Sequence, residues 1–346
     1  MTFTVPAERN LVGVLSSEVK VTSDVKGYDL IGDVHGCGLS LKKLLAKLGY
    51  SKRKGVYSNP GRQVIFLGDI VDRGPRIRES LHLVYDMVEA GHAHIVMGNH
   101  EFNYLSYVTR GREGSGLSYL REHNPRHHRI VAETLEQLAN YPDEEEVFLQ
   151  WIREMPVYLE FDRFRVVHAC WHQKLIDRFE AEYPNHVIDD RFLHRSSKRG
   201  TFEWALMDRL LRGTHLRLPN GEAMVSKDGF ERRFFRTKFW AEEPEFYGDV
   251  VFQPDPLPEH IARMRLTDQD YNDLLYYGPE EKMLFIGHYW REGQPAPITS
   301  NIACLDYSAV KYGKLVAYRL DDETVIQPDK FIYVDVRREI ADESNL

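Results

Sequence analysis

The chain has 346 residues, of which 42% are hydrophobic and 28% charged, so it is long enough to bury a substantial core. Its formal net charge of −8 argues against a general affinity for nucleic acid or an anionic membrane, both of which favour a basic surface. A local basic pocket for phosphate stays open. No apolar stretch approaches the roughly 20 residues that cross a bilayer. The N-terminus, with Glu8 and Arg9 soon after Pro6, lacks the basic-then-apolar layout of a signal peptide. Cys37, Cys170 and Cys304 are widely spaced, odd in number and free of any CxxC pair, which fits free thiols in a reducing cytoplasm.

The first third alternates short apolar runs with helical patterns. Residues 28–31 read as a strand that ends in Gly32-Asp33. Leu41, Leu44, Leu45 and Leu48 then recur at helical spacing, with Ser40 as the expected N-cap and Gly49 as the stop. A second strand, 64–67, runs into Gly68-Asp69. A helix follows with Ile77, Leu81, Val84 and Val88 on one face and Gly91 after it. Residues 95–97 form a third strand, ending at Gly98-Asn99-His100. This β-α-β-α-β order predicts an α/β architecture built partly on parallel strands.

The middle is more helical. Ile130, Thr134, Leu135 and Leu138 share one face, and Val147, Phe148, Trp151 and Ile152 another. Strand character returns at 164–167 and ends at His168. Between about 175 and 280 the pattern weakens, with helix around 201–211 and a loop at Pro219-Asn220-Gly221. We read that stretch as a helical cap insertion, because a structureless segment of its length is unusual in a compact domain. Strands resume at 283–286, 302–305, 315–320 and 331–336. The last ones follow one another without obvious crossover helices, which predicts antiparallel pairing. No internal repeat or low-complexity tract is visible. The expectation is one domain over 1–346, with insertions at about 105–155 and 175–280.

Asp33, Asp69, Asn99, His168 and His288 each sit at or just past the end of a short apolar run. In α/β sheets the carboxyl ends of strands are where ligands collect. Glycine precedes Asp33, Asp69, Asn99 and His288, permitting sharp turns and close backbone approach. One Gly-Asp is only a turn; this ordered set is harder to explain as turns alone.

Gly32-Asp33-Val34-His35-Gly36, Gly68-Asp69-Ile70-Val71-Asp72-Arg73-Gly74 and Gly98-Asn99-His100-Glu101 resemble the three signature motifs of calcineurin-like metallophosphoesterases. The closer resemblance is to the phosphoprotein phosphatase branch, which includes bacterial dinucleoside-tetraphosphatases and serine/threonine phosphatases. It implies a β-sandwich flanked by helices. It also implies a first metal on Asp33 and His35, Asp69 as the bridge, and a second metal on Asn99, His168 and His288. The mixed oxygen and imidazole donors suit two divalent ions, Mn²⁺ first, with Fe, Zn²⁺ or a mixed pair as alternatives. The implied reaction is direct hydrolysis of a phosphoric ester by hydroxide carried on the metals. Arg73 would grip the phosphoryl oxygens, and His100, oriented by Asp72, would protonate the leaving oxygen.

Other residues have plainer readings. His168-Ala169-Cys170-Trp171-His172 lacks the glutamate of a metalloprotease helix, so His172 reads as a surface or outer group and Cys170 as buried packing. His92, His94, His123, His127 and His128 are assigned to loops or solvated faces. The run Arg232, Arg233, Arg236 and Lys238, interleaved with Phe234, Phe235 and Phe239, suits an amphipathic cap segment, with Arg236 as a candidate second phosphate-binding arginine.

Three function classes follow. The first is a phosphatase acting on a phosphomonoester, phosphoprotein or nucleotide, with dinucleoside-tetraphosphatase as its alternative. The second is a metal-dependent nuclease. His288-Tyr289-Trp290 lacks the His-x-His ending of such relatives, and the net charge disfavours it. The third, a binding module without activity, is disfavoured because no ligand of the set is missing. Tyr307-Ser308-Ala309 departs from the Thr-Gly pattern of the dinucleoside-tetraphosphatases, and the long cap has no counterpart there.

Overall fold

A computed structural model of the chain describes residues 25–184, 188–225, 231–252 and 257–336. The N-terminal segment with Pro6, Glu8 and Arg9 lies outside the described residues. From its start the chain forms β1 (Gly27–Ile31), α1 (Gly38–Lys47), β2 (Ser51–Arg53), β3 (Val56–Ser58), β4 (Arg62–Phe66), α2 (Ile77–Glu89), β5 (Ala93–Ile95) and α3 (Asn99–Val108). β1, β4 and β5 are parallel neighbours, as the alternating pattern requires. Helix α1 starts earlier than expected, with Cys37 rather than Ser40 as its N-cap. The preceding loop is pinned by the N–H groups of Val34 and His35, which both donate to the Asp69 carbonyl, so the chain turns into the helix sooner. The β2–β3 hairpin was not anticipated, because its strands carry little apolar character. Its turn, Lys54-Gly55, has φ of 52° and 91°, the left-handed pair that a two-residue hairpin connection needs.

Next come α4 (Pro125–Leu138), α5 (Pro142–Glu154), β6 (Tyr158–Glu160) and β7 (Phe164–Val167). Both helices begin with proline, whose missing N–H costs nothing in a first turn. The cap region holds α6 (Gln173–Glu182), α7 (Asp190–Ser196), α8 (Phe202–Arg212), β8 (Thr214–Arg217), β9 (Met224–Val225), β10 (Glu231–Arg232), β11 (Phe234–Thr237), α9 (Tyr247–Val250), α10 (Glu259–Ala262) and α11 (Asp268–Asp273). It is therefore mixed rather than purely helical: β8 pairs with β11, and β9 with β10, both antiparallel. The alternation Phe235-in, Phe234-out fits a strand with one wet face.

The chain ends with β12 (Met283–Ile286), β13 (Ile302–Cys304), β14 (Asp306–Tyr307), β15 (Lys314–Leu320) and β16 (Phe331–Asp335). β14, β15 and β16 pair antiparallel as expected. β12 does not: it is parallel to both β13 and β7. The loop of residues 287–301 is long enough to carry the chain back to the same end without a helix.

Two sheets result, β14-β15-β1-β4-β5 with β16 on β15, and β13-β12-β7-β6. Alternation along each strand builds the layers. Tyr28, Leu30 and Ile65 of the first sheet cluster with Val166, Phe285 and Ala303 of the second. Ile31, Val64 and Phe66 turn the other way and join Leu41, Leu44, Leu81 and Val84 of α1 and α2. Each such side chain buried contributes about 1.5–3 kcal/mol. The fold is thus a mixed α/β sandwich with helical outer layers. Asp29, in mid-strand, is a buried charge held by Arg62 Nε (3.0 Å), Arg319 Nε (2.8 Å) and Tyr50 Oη (3.0 Å). No helix among the described residues is long and apolar enough to cross a membrane.

Candidate metal centre

The loops after β1, β4, β5, β7 and β12 meet at one edge of the sandwich and bring the predicted polar residues together. Asp69 is at the middle. Its Oδ2 lies 3.5 Å from His35 Nε2, 3.5 Å from His168 Nε2 and 4.0 Å from His100 Nε2. Its Oδ1 accepts the His100 backbone N–H at 2.9 Å. Asn99 Oδ1 is 3.1 Å from His168 Nε2, and the His168 and His288 rings are 5.3 Å apart. Asp33 is tied in through Oδ2, 3.3 Å from the His288 backbone N–H. Ligand atoms of Asp33, Asp69 and His168 lie within 4.8 Å of one another, and so do those of His35, Asp69 and His100.

The imidazoles are pre-set by their second nitrogens. His168 Nδ1 donates to the Leu67 carbonyl at 2.7 Å, and His35 Nδ1 to the Val71 carbonyl at 2.9 Å. Each then turns its Nε2 toward Asp69, the nitrogen that a metal would take.

The backbone is unusual at the same place. His35, Asp69, Asp72, Arg73 and His288 all have φ between 43° and 68°. Left-handed non-glycine residues cost energy and gather at functional sites. The preceding glycines make room: a Cβ on Gly98 would lie 2.3 Å from Asp69 Oδ1, and one on Gly287 2.1 Å from Asp33 Oδ1.

A sequence model of the calcineurin-like phosphoesterases matches residues 28–218, more than half of the chain. The chain belongs to that family. It is 33% identical over 150 residues to an asymmetrical bis(5'-nucleosyl)-tetraphosphatase, PrpE, of Halalkalibacterium halodurans, covering 41% of this chain and 56% of the relative. A protein of the same name from a Geobacillus species is 30% identical over 181 residues, covering 50% and 69%. The chain therefore spans between about half and two thirds of the length of these relatives. Among solved structures, a serine/threonine phosphatase from Saccharomyces cerevisiae aligns over 94% of this chain and 84% of its own, at 16% identity and a TM-score of 0.49.

Membership of a metallophosphoesterase family implies divalent metal ions, and the residues of this phosphoesterase fit them. Asp33 Oδ1 and His288 Nε2 are buried with no hydrogen-bond partner. Buried polar atoms are rarely left so, and a missing ion is one standing explanation. Burial, then the Asp306 carboxylate, pushes Asp33 well above the usual carboxylate range. Burial, then Arg236, holds His288 well below the usual imidazole range. Burial also opposes charge on His168, but Asp69 outweighs it and lifts the imidazole to about 10. A carboxylate that resists ionising, an unpartnered His288 Nε2 and a His168 imidazole turned onto Asp69 make a donor set that a cation would relieve.

Beside this cluster, His100 Nδ1 lies 2.6 Å from Asp72 Oδ2. Its Nε2 accepts from Arg73 Nη2 at 2.9 Å. Burial pushes Asp72 up to about 8 and His100 down to about 3, so the pair resists carrying two charges. Arg236, far away in sequence, also reaches the centre: its Nη1 donates to the His288 carbonyl at 3.1 Å.

Two residues that organise the centre were not singled out from the sequence. Glu101, fully buried, accepts four backbone N–H groups: Asp69 (2.7 Å) and Gly98 (3.0 Å) on Oε2, Ile70 (2.7 Å) and Val71 (3.2 Å) on Oε1. It stands beside His100 in the third motif, so its position in sequence was a signal. Thr134 of α4 receives the Asp72 N–H at 3.0 Å and gives its hydroxyl to Asp72 Oδ1 at 2.5 Å. Only its place on the inner face of a helix marked it. Glu101→Ala leaves several buried N–H groups unpaired at about 1–3 kcal/mol each. We expect unfolding free energy to fall by roughly 3 kcal/mol or more in a urea titration, with Glu101→Asp intermediate.

Other assignments change. His172 is neither surface group nor ligand: it caps α6, its Nδ1 accepting from Leu175 N at 3.4 Å. Cys170 is buried packing as expected, and burial pushes its thiol up to about 12. His94 lies within β5 rather than in a loop, whereas His123 does lie in an exposed loop, stacked between Tyr107 and Tyr119 at 3.8 and 3.9 Å.

Proposed function

We propose that the protein hydrolyses phosphoric esters at a dimetal centre held by Asp33, His35, Asp69, Asn99, His168 and His288. The observation that carries this reading is the convergence of two imidazole Nε2 atoms, of His35 and His168, on one carboxylate oxygen, Asp69 Oδ2, at 3.5 Å each. Asp33, His35, Asp69, Asn99, His168 and His288 would hold the ions between them, with Asp69 central to the set. When bound, the ions supply Lewis acidity toward the phosphoryl group and activate water near neutral pH. The mixed nitrogen and oxygen donors favour Mn²⁺ in our reading, with Fe or Zn²⁺ as alternatives.

The chain's own residues divide the remaining work. Arg73, next to His100, is placed to exchange that contact for a phosphoryl oxygen, where its planar fork fits two parallel hydrogen bonds. That exchange frees His100 Nε2 to pass to the leaving oxygen the proton that the Asp72–His100 pair holds between them, Asp72 being left as the carboxylate. Asp72, fixed by Thr134, keeps the other ring nitrogen occupied and the ring oriented. The substrate is a phosphorylated small molecule, a nucleotide or a phosphoprotein. Dinucleoside tetraphosphate is the second reading, favoured by the names of the relatives. We read residues 1–346 as one domain carrying two insertions, and the three buried free thiols support a cytoplasmic setting.

The test is reconstitution. Protein stripped by chelator and reloaded with Mn²⁺ should turn over at least one of p-nitrophenyl phosphate, a phosphopeptide and diadenosine tetraphosphate, and lose that activity again in chelator. Failure on all three with about two equivalents of metal bound would sink the hydrolase reading.

A further inference from the structure

We propose that the cap forms a second, anion-binding subsite beside the metal centre, and that it receives the non-reacting part of a nucleoside polyphosphate. This rests on the hydrolase reading above and names its substrate class. A cleft of about 340 Å³ opens between β8, β11 and the loop after β12. Arg212, Arg232 and Arg236 line it; Asp208, 3.6 Å from Arg212, is the carboxylate beside them, and none is among the lining residues themselves. In a chain of net charge −8 this is a local concentration of positive charge that folding has assembled from distant segments.

The cleft is continuous with the metal centre. Arg236 lines it and also donates to the carbonyl of His288 at 3.1 Å. Trp290, two residues past His288, forms part of its wall. Arg212 is held by Asn103 Oδ1 at 2.8 Å, on the same helix that carries Asn99 and His100. A reacting phosphoryl group at Arg73 would leave this cleft to whatever is attached to it. Three guanidinium groups are more than a single phosphoryl group already served by Arg73 and two cations requires. A chain of further phosphates matches their spread of positive charge along the cleft.

The cleft also offers rings. Phe234 is 41% exposed on its rim, edge-on to His215 at 5.5 Å, with Phe252 and Trp290 as further lining residues. An exposed phenylalanine between arginines is a poor choice for a merely solvated face. It is a good platform for a planar base, since every base has a π-face to stack. Arginines for phosphates and aromatic faces for a base describe a nucleoside polyphosphate better than an acidic peptide.

The experiment compares wild type, Arg232→Gln, Arg232→Lys and Phe234→Ala, all loaded with Mn²⁺, on p-nitrophenyl phosphate, inorganic tripolyphosphate and ATP. Thermal unfolding of each variant checks that the fold is kept. Relative to p-nitrophenyl phosphate, Arg232→Gln should lower kcat/KM on tripolyphosphate and ATP about tenfold or more, mainly through KM, with partial recovery in Arg232→Lys. Phe234→Ala should lower it about fivefold or more on ATP alone. Equal factors on all three substrates, or no change on any, would overturn the subsite. A phosphopeptide with acidic neighbours that depends on Arg232 more strongly than ATP does would overturn the nucleotide assignment. A wild type inactive on tripolyphosphate and ATP but active on p-nitrophenyl phosphate or the phosphopeptide would overturn this inference alone; one inactive on all of these and on diadenosine tetraphosphate would overturn the hydrolase reading as well, and an active wild type with indifferent variants overturns only the subsite.

Discussion

Asp69→Asn is expected to lose about three orders of magnitude in kcat/KM, together with its metal. The substitution is nearly isosteric. The asparagine carbonyl can still accept the His100 N–H where Oδ1 now does at 2.9 Å. The four bonds from Glu101 and the His35 and His168 rings are not directly altered, so the fold should persist. What changes is Oδ2, the atom facing His35 Nε2 and His168 Nε2. Replacing it with an amide nitrogen removes a negative charge and points donors at the cation site. Metal ions supply several kcal/mol of transition-state stabilisation, and each 1.4 kcal/mol or so is a decade in rate. Metal content by plasma mass spectrometry should fall in parallel with activity. A variant that keeps both would show that Asp69 is not the shared ligand.

The second large effect belongs to His100. His100→Asn removes the group placed to protonate the leaving oxygen and should cost about 10²–10⁴-fold on a substrate with a poor leaving group. On p-nitrophenyl phosphate, whose leaving group needs little protonation, the loss should be far smaller. The diagnostic is therefore the slope of rate against leaving-group pKa, steeper in the variant than in wild type. Metal content should stay unchanged. That readout matters here, because His100 Nε2 also lies 4.0 Å from Asp69 Oδ2. If the variant loses metal and slows all leaving groups equally, His100 is a ligand rather than an acid. Asp72→Asn should follow His100→Asn in the same plot with a smaller loss, since it removes the orienting contact at 2.6 Å and leaves the ring.

Much of the fold was legible because its signals are local. Buried parallel strands such as β4 and β7 are short apolar runs, and the amphipathic faces of α2, α4 and α5 repeat at helical spacing. The β2–β3 hairpin was missed because its exposed strands have no apolar alternation to read, and the cap strands because runs of two to four residues are too short to establish one. The parallel pairing of β12 with β13 was missed because strand direction depends on where a loop carries the chain, and loop path leaves no periodicity.

The metal centre divides along the same line. Asp33, His35, Asp69, Asn99, His168 and His288 could be named as candidate ligands from the sequence, because five of them sit at strand ends and three of the segments form recognisable motifs. The roles of Glu101 and Thr134 could not. A glutamate that accepts four backbone N–H groups looks, in sequence, like any other glutamate in the first turn of a helix. Arg236 was only a candidate until β11 brought it to the His288 carbonyl, and Arg212 and Arg232 gave no sign of sharing a cleft with it. The sequence by itself determined which atoms can bind metal and phosphate, because donor chemistry is a property of residue type. Which of them face one another was decided only by tertiary structure, because long-range convergence is set by strand order and loop path rather than by neighbours along the chain.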